Sequence, residues 1–166
     1  MKYAFPDALN ENAKALIDLC RDKNVRLSTI ESCTGGLLAG CLTDIAGSSD
    51  VMDRGFVTYS NEAKMNFLGV KKSSLTNHGA VSEEVVREMS EGISHRASTE
   101  IGIAVSGIAG PDGGSREKPV GTVCFGFKYF EITETFTKFF EGDRENIRIL
   151  STEFLLVQLL AYLTTD

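Results

Sequence analysis

Little in this chain suits histidine or metal chemistry. Its 166 residues include two histidines, His78 and His95, and four cysteines, no two of them in a C-x-x-C pair. A zinc site is therefore not expected. Positive charge is also short: 17 Lys and Arg stand against 23 Asp and Glu, a net charge of −6. That balance argues against a nucleic-acid surface, and no stretch matches an RNA- or DNA-binding motif. The N-terminus lacks the apolar h-region of a secretory signal. The longest apolar stretch, Phe154 to Leu163, is interrupted by Gln158 and is too short to span a bilayer. Internal repeats and low-complexity segments are missing too. What remains is 42% hydrophobic and 24% charged, an ordinary globular composition. Its length suits one domain with a full three-layer core. The expectation is a single domain over residues 1–166, soluble and cytoplasmic, touching neither membrane nor nucleic acid.

The periodicity alternates between helix and strand. Leu9, Ala13, Leu16, Ile17 and Cys20 make one face of a first helix. Val25 to Ile30 reads as a strand. Leu37, Leu38, Cys41, Leu42 and Ile45 then return to helical spacing. Gly47 to Asp50 is a turn, and Gly55 to Tyr59 a second strand. Ser60 can cap a helix through Leu68 that Gly69 ends. Ser73 to His78 is a turn or a single helical turn, closed by Gly79. Ser82 caps a longer helix with Val85, Val86, Met89 and Ile93 inward. Ile101 to Val105 suits a strand covered on both faces, and Ser106 to Gly121 is a Gly/Pro-rich loop. Thr122 to Tyr129 and Thr133 to Phe140 read as a hairpin, and Asp143 caps the last helix. Strands separated by helices, then a hairpin, predict an α/β/α sandwich on a mixed, mostly parallel sheet. The last helix carries two apolar stripes: Ile147, Leu150, Phe154, Val157 and Ala161, and Ile149, Leu156, Leu160 and Leu163. It is either deeply buried or shared with a second copy in a homo-oligomer, with Leu156, Leu160 or Leu163 at the contact.

The segment Glu31-Ser32-Cys33-Thr34-Gly35-Gly36 lies where a strand hands over to a helix. Ser32 there faces the unpaired N–H groups of a helix start, and Thr34, Gly35 and Gly36 allow a ligand close to that backbone. A hydroxyl beside such an anion hole is what acyl transfer needs. A plain helix cap at Ser32 or Thr34 is the alternative. Cys20, Cys41 and Cys124 are read as small core residues. Cys33, next to Ser32, is a second possible nucleophile, whose histidine partner would have to be His78.

A serine nucleophile needs a base, and with two poorly placed histidines a lysine is the next candidate. Lys64 lies in the first turn of the helix that Ser60 caps. The positive helix end and any burial both disfavour its charged form; a solvated surface lysine is the competing reading. The loop Ser106-Gly107-Ile108-Ala109-Gly110-Pro111-Asp112-Gly113-Gly114 follows a buried strand, where open α/β sheets bind ligands. It is neither a P-loop nor a dinucleotide fingerprint, so it either wraps a small polar ligand or is a surface loop. Arg144, at a helix N-terminus, is badly placed for the dipole. It suits contact with a phosphate or carboxylate, unless it is an ordinary surface arginine.

Seven segments, in order, resemble the CinA C-terminal domain family: Glu31 to Gly36, Gly47 to Ser49, Gly55 to Lys64, His78 to Ser82, Ser106 to Gly114, Lys118 to Val123 and Gly142 to Arg144. Characterised members of that family are nicotinamide mononucleotide deamidases. The resemblance implies a five-stranded α/β/α sandwich and a Ser/Lys amidohydrolase that needs no metal or cofactor. By position, Ser32 matches the nucleophile and Lys64 the base. Ser49, Tyr59, Ser106 and Arg144 match assisting or substrate-contacting positions. Ser106 stands where some relatives have Thr, so the hydroxyl survives. The resemblance further implies an oxyanion held by N–H groups around Thr34 to Gly36. It also implies a proton route to the leaving ammonia through Tyr59 or Ser106. Many members carry an additional N-terminal domain with a pyrophosphatase-type activity, which is not expected of this chain. A non-catalytic nucleotide- or partner-binding module of the competence and damage-inducible type is the alternative. A Ser32–Lys64 separation beyond hydrogen-bond reach would favour it.

Overall fold

The computed structural model describes residues 5–165. The elements run α1 (Asp7–Asp22), β1 (Leu27–Glu31), α2 (Leu37–Thr43), β2 (Met52–Val57), α3 (Asn61–Leu68), α4 (Lys72–His78) and α5 (Glu83–Ala97). They continue through β3 (Ile101–Gly107), β4 (Thr122–Tyr129), β5 (Ile132–Phe139) and α6 (Arg144–Thr165). One sheet holds all five strands in the order β2-β1-β3-β4-β5. Two strand pairs, β1 with β2 and β1 with β3, are parallel; β3–β4 and β4–β5 are antiparallel. Four of the five strands run the same way and β4 alone is reversed, so the sheet is mixed and mostly parallel; the tight β4–β5 hairpin closes one edge with a connection that only antiparallel strands permit.

Helices cover both faces. On one side α1, α2 and α6 bury Leu16, Ile17, Leu38, Leu42, Leu155 and Leu159 against the sheet. On the other, α3, α4 and α5 bury Leu68, Leu75, Val86, Met89 and Ile93 over Ile30 and Ala104. Helix α5 lies directly on β3 and β4. A Cβ on Gly102 would stand 2.2 Å from the Ser90 carbonyl oxygen, and one on Gly126 2.4 Å from that of Val86. The caps form as the sequence suggests: Ser60 Oγ accepts from the Ala63 N–H at 3.0 Å, Ser82 Oγ from Val85 at 3.4 Å, and Asp143 Oδ1 from Asn146 at 2.9 Å.

Three elements depart from expectation. Strand β2 begins at Met52 instead of Gly55, and Asp53 and Arg54 lie within it. Charged residues are tolerated there because β2 is an edge strand with one side open to water. Residues 72–78 form a helix of about two turns, longer than the turn or single helical turn expected from Ser73, with Leu75 buried beneath it. Helix α6 buries a single broad stripe of Ile147, Ser151, Thr152, Leu155, Leu156, Leu159 and Leu163. Leu156 and Leu163, expected at a contact with a second copy, are fully covered within the chain itself. Of the other predicted stripe, Val157 stays 44% exposed and Phe154 packs on Phe125 with ring centroids 4.7 Å apart. Helix α6 is 22 residues long and its most apolar 18-residue window has a mean hydropathy of 1.4, long and apolar enough to cross a membrane. Here that apolar stripe is taken up by α1, α2 and β4.

Candidate active site

The connection from β1 to β2 leaves on one side of β1, and the crossover from β2 to β3 returns on the other. The carboxyl ends of β1 and β3 therefore flank the point where strand order reverses, the place where open α/β sheets form a crevice. Ser32 follows β1 directly. Its N–H donates to the Val105 carbonyl at 3.0 Å, and the Thr58 N–H donates to the Glu31 carbonyl at 2.9 Å. Glu31 pairs with both Val57 and Val105, so Thr58, Ser32 and Ser106 end three adjacent parallel strands.

Lys64 reaches this point from the first turn of α3. Its side chain is 1% exposed. The ammonium Nζ donates to the Thr58 carbonyl at 2.7 Å and to Ser32 Oγ at 3.2 Å. None of the ion pairs among the described residues includes it. Burial without a carboxylate partner lowers its pKa, a shift opposed only by a neighbouring Cys33 thiolate. The solvated-lysine reading does not survive this burial. The Thr58 hydroxyl beside it is buried and has no hydrogen-bond partner among the described residues.

Cys33 is the wrong kind of neighbour for a nucleophile. It is 5% exposed, and burial pushes its thiol up to about 12, so the reactive thiolate is scarce at neutral pH. His78, its supposed partner, sits on α4 with Nδ1 3.5 Å from a Glu84 carboxylate.

Tyr59 and Arg144 meet at the rim. Arg144 Nη2 donates to the Tyr59 hydroxyl at 3.2 Å, and its Nη1 donates to the Gly110 carbonyl at 2.8 Å. The arginine thereby ties α6 to the glycine-rich loop and to the chain after β2. Tyr59 is 63% exposed, so its ring lies open to a ligand. Ser106 is buried at the end of β3, and Gly107 beside it packs on Val123, where an added Cβ would lie 2.7 Å away.

Two expected groups lie differently from the rest. Ser49 does not join this group. It is exposed in the turn before Met52, and Met52 pairs with Leu27 at the amino end of β1, a full strand length from Ser32. The parallel direction of β1 and β2 decides this, and it is invisible in a linear motif. The anion hole also differs. The N–H of Gly35 donates to the Ser32 carbonyl at 3.1 Å and that of Gly36 to Glu31 Oε2 at 3.0 Å. Neither is free for a substrate oxygen. The N–H groups of Cys33 and Thr34 have no oxygen acceptor among the described residues. Both favour a negative charge at the Cys33 sulfur.

Sequence reasoning missed Glu31 and Arg148. The Glu31 side chain is fully buried, and its carboxylate occupies the start of α2. Oε2 accepts from Thr34 Oγ1 at 2.6 Å and from the Gly36 and Leu38 N–H groups at 3.0 and 3.2 Å, and Oε1 accepts from Ala39 at 2.9 Å. An acidic residue ending an otherwise apolar strand, just before a helix, was the available signal. Arg148 Nη2 donates to the Thr34 carbonyl at 2.8 Å; its only signal was a position one helical turn after Arg144.

The model of the CinA C-terminal domain family matches residues 9–163. A protein of Enterobacter agglomerans named nicotinamide-nucleotide amidohydrolase PncC is 58% identical over 127 residues, which cover 76% of this chain and 77% of that protein. A CinA-like protein of Syntrophobacter fumaroxidans is 47% identical over 153 residues. There the match covers 92% of this chain but 36% of the relative, so the chain spans about a third of such longer proteins. Among solved structures, the competence/damage-inducible protein CihA of Agrobacterium tumefaciens superposes with a TM-score of 0.92 at 42% identity, over 96% of this chain and 98% of that one.

Proposed function

This chain belongs to the CinA C-terminal domain family, and on that premise we propose that it deamidates nicotinamide mononucleotide, with Ser32 as nucleophile and Lys64 as base. The observation that carries the reading is the buried, carboxylate-free Lys64 with its Nζ 3.2 Å from Ser32 Oγ. That distance lies within hydrogen-bond reach and argues against a purely binding module. The relatives named nicotinamide-nucleotide amidohydrolase support the substrate.

Neutral Lys64 takes the Ser32 proton as Oγ attacks the carboxamide carbon. The carbonyl π electrons move onto oxygen, where the N–H groups of Cys33 and Thr34 meet the charge. On collapse the C–N bond breaks, Lys64 returns its proton to the leaving nitrogen, and ammonia departs. Water, deprotonated by the same lysine, cleaves the ester to nicotinic acid mononucleotide and free Ser32. The Thr58 carbonyl keeps the amine aimed throughout, accepting from Lys64 at 2.7 Å. Arg144 and Tyr59 form the rim that receives the nucleotide, Arg144 facing its phosphate. Ser106 and Gly107, with Gly35 and Gly36, shape the crevice without donating to the oxyanion.

The same reading takes residues 1–166 as one amidohydrolase domain acting in the cytoplasm, which four free thiols favour. It also takes the protein as a homo-oligomer, supported by exposed Phe56 and Val57 on the edge strand and by Val157. The deciding experiment is ammonia release from nicotinamide mononucleotide by the full chain and by Ser32→Ala. Turnover by wild type and none by a folded Ser32→Ala supports the reading; equal turnover by both, or none by wild type, defeats it.

A further inference from the structure

The turn after Ser32 is gripped from both sides by charge. Thr34 is fully buried, its hydroxyl donates to the Glu31 carboxylate at 2.6 Å, and its carbonyl accepts from Arg148 Nη2 at 2.8 Å. Glu31 belongs to the sheet and Arg148 to α6, so the turn is held between two rigid layers. The two charges act in opposite directions at the nearby Cys33 sulfur, Glu31 disfavouring its thiolate and Arg148 favouring it.

Packing alone does not account for Arg148. Among the described residues its buried Nε has no hydrogen-bond partner, and no ion pair includes it. Keeping an unpaired guanidinium partly buried is costly where an apolar side chain of similar length would pack. The side chain also lines an open cavity of about 340 Å³ with Gly35, Gly36, Leu37 and Asp44. What the charge does have within reach is the turn that carries the Cys33 and Thr34 N–H groups, which have no oxygen acceptor among the described residues and face the Cys33 sulfur. Held at its hydroxyl and its carbonyl, Thr34 is fixed on both sides of its Cα, which restricts rotation of the peptide before it.

We propose that Glu31 and Arg148 are positioning residues that clamp Thr34, and so aim the Cys33 and Thr34 N–H groups at the oxyanion formed on Ser32. The inference rests on the amidohydrolase reading above. A clamp of this kind acts on the transition state and not on the bound amide, so it governs kcat and leaves KM alone. Losing a whole oxyanion donor costs about 10²- to 10³-fold in kcat; misaiming one should cost less, about 10- to 100-fold.

The test uses the full chain with Arg148→Ala and the nearly isosteric Thr34→Val, which keeps the volume and removes the hydroxyl held by Glu31. Three readouts apply: kcat and KM for ammonia release, thermal unfolding, and ¹⁵N relaxation of the Cys33 and Thr34 amides without substrate. Expected are a 10- to 100-fold fall in kcat for each variant, KM within about threefold, and increased mobility confined to those amides. Millimolar guanidinium should restore part of the kcat of Arg148→Ala through the open cavity but do nothing for Thr34→Val. Wild-type kcat in folded Thr34→Val overturns the inference. So does a loss in Arg148→Ala that appears in KM alone, or amides as rigid as in wild type. Should Arg148→Ala not fold, Thr34→Val decides by the same criteria. A wild-type chain that releases no ammonia defeats the amidohydrolase reading instead, and the amide mobility still decides whether the clamp exists.

Discussion

Replacing Lys64 by Met keeps a flexible apolar stem and removes one buried charge. In the unfolded chain a lysine titrates near 10.4; in the folded chain burial lowers the Lys64 pKa. Below the folded value both states hold the proton, and the cost of burying the ammonium is carried in full. As pH rises through the folded pKa the folded state alone releases its proton. Wild-type stability then climbs by about 1.4 kcal/mol per pH unit until about 10.4, where both states are neutral. Lys64→Met lacks this dependence. It also loses the donors to the Thr58 carbonyl and Ser32 Oγ, at 2.7 and 3.2 Å, a pH-independent offset of about 1–3 kcal/mol. The diagnostic quantity is therefore the slope of wild type minus variant. It should be flat at low pH, rising through the window, and flat again above it. For a chain of this size the rise corresponds to about 3–6 °C in Tm per pH unit. Calorimetry at half-unit steps reads it, alongside the pH profile of ammonia release, whose kcat/KM should rise through the same folded pKa. Parallel stability curves from about pH 7 to 10.5 would mean that Lys64 titrates as in the unfolded chain, and the base role would fall.

Lys64→Arg should be inactive, since a guanidinium does not deprotonate; turnover above background in that variant contradicts the dyad. Cys33→Ala should keep wild-type kcat within about threefold, because a thiol pushed up to about 12 supplies almost no thiolate; alkylation kinetics and turnover together check this. Arg144→Ala should raise KM for nicotinamide mononucleotide about tenfold or more while leaving the phosphate-free riboside nearly unaffected, the loss of one charge-assisted contact. Equal losses for both substrates would move the phosphate to the loop of Ser106 to Gly114. Sedimentation at micromolar concentration should give a dimer or larger, and a stable monomer would contradict the oligomer; Val157→Glu should leave the chain folded, since that side chain is 44% exposed.

Local chemistry was written in the sequence and the geometry bears it out. Periodicity located α1 and α5, Ser60 and Ser82 cap as their spacing suggests, and Gly69 ends α3 with φ 76°. These features depend on residues within one or two turns of each other. The pairing of Ser32 with Lys64 was half legible. A strand–helix junction and a helix start each pointed to one residue, but only the parallel pairing of β1 with β2 brings residues 32 apart in the chain to 3.2 Å. The tertiary structure alone decided the rest. Strand direction sends Ser49 to the far end of β1. The sheet and α6 cover Leu156 and Leu163. A buried Glu31 takes up the N–H groups of α2, leaving those of Cys33 and Thr34, and Arg148 arrives from 114 residues away to hold Thr34. Hydrogen-bond donors are shared out by whichever acceptor folds closest, and a linear sequence lists the donors and acceptors without saying which of them meet.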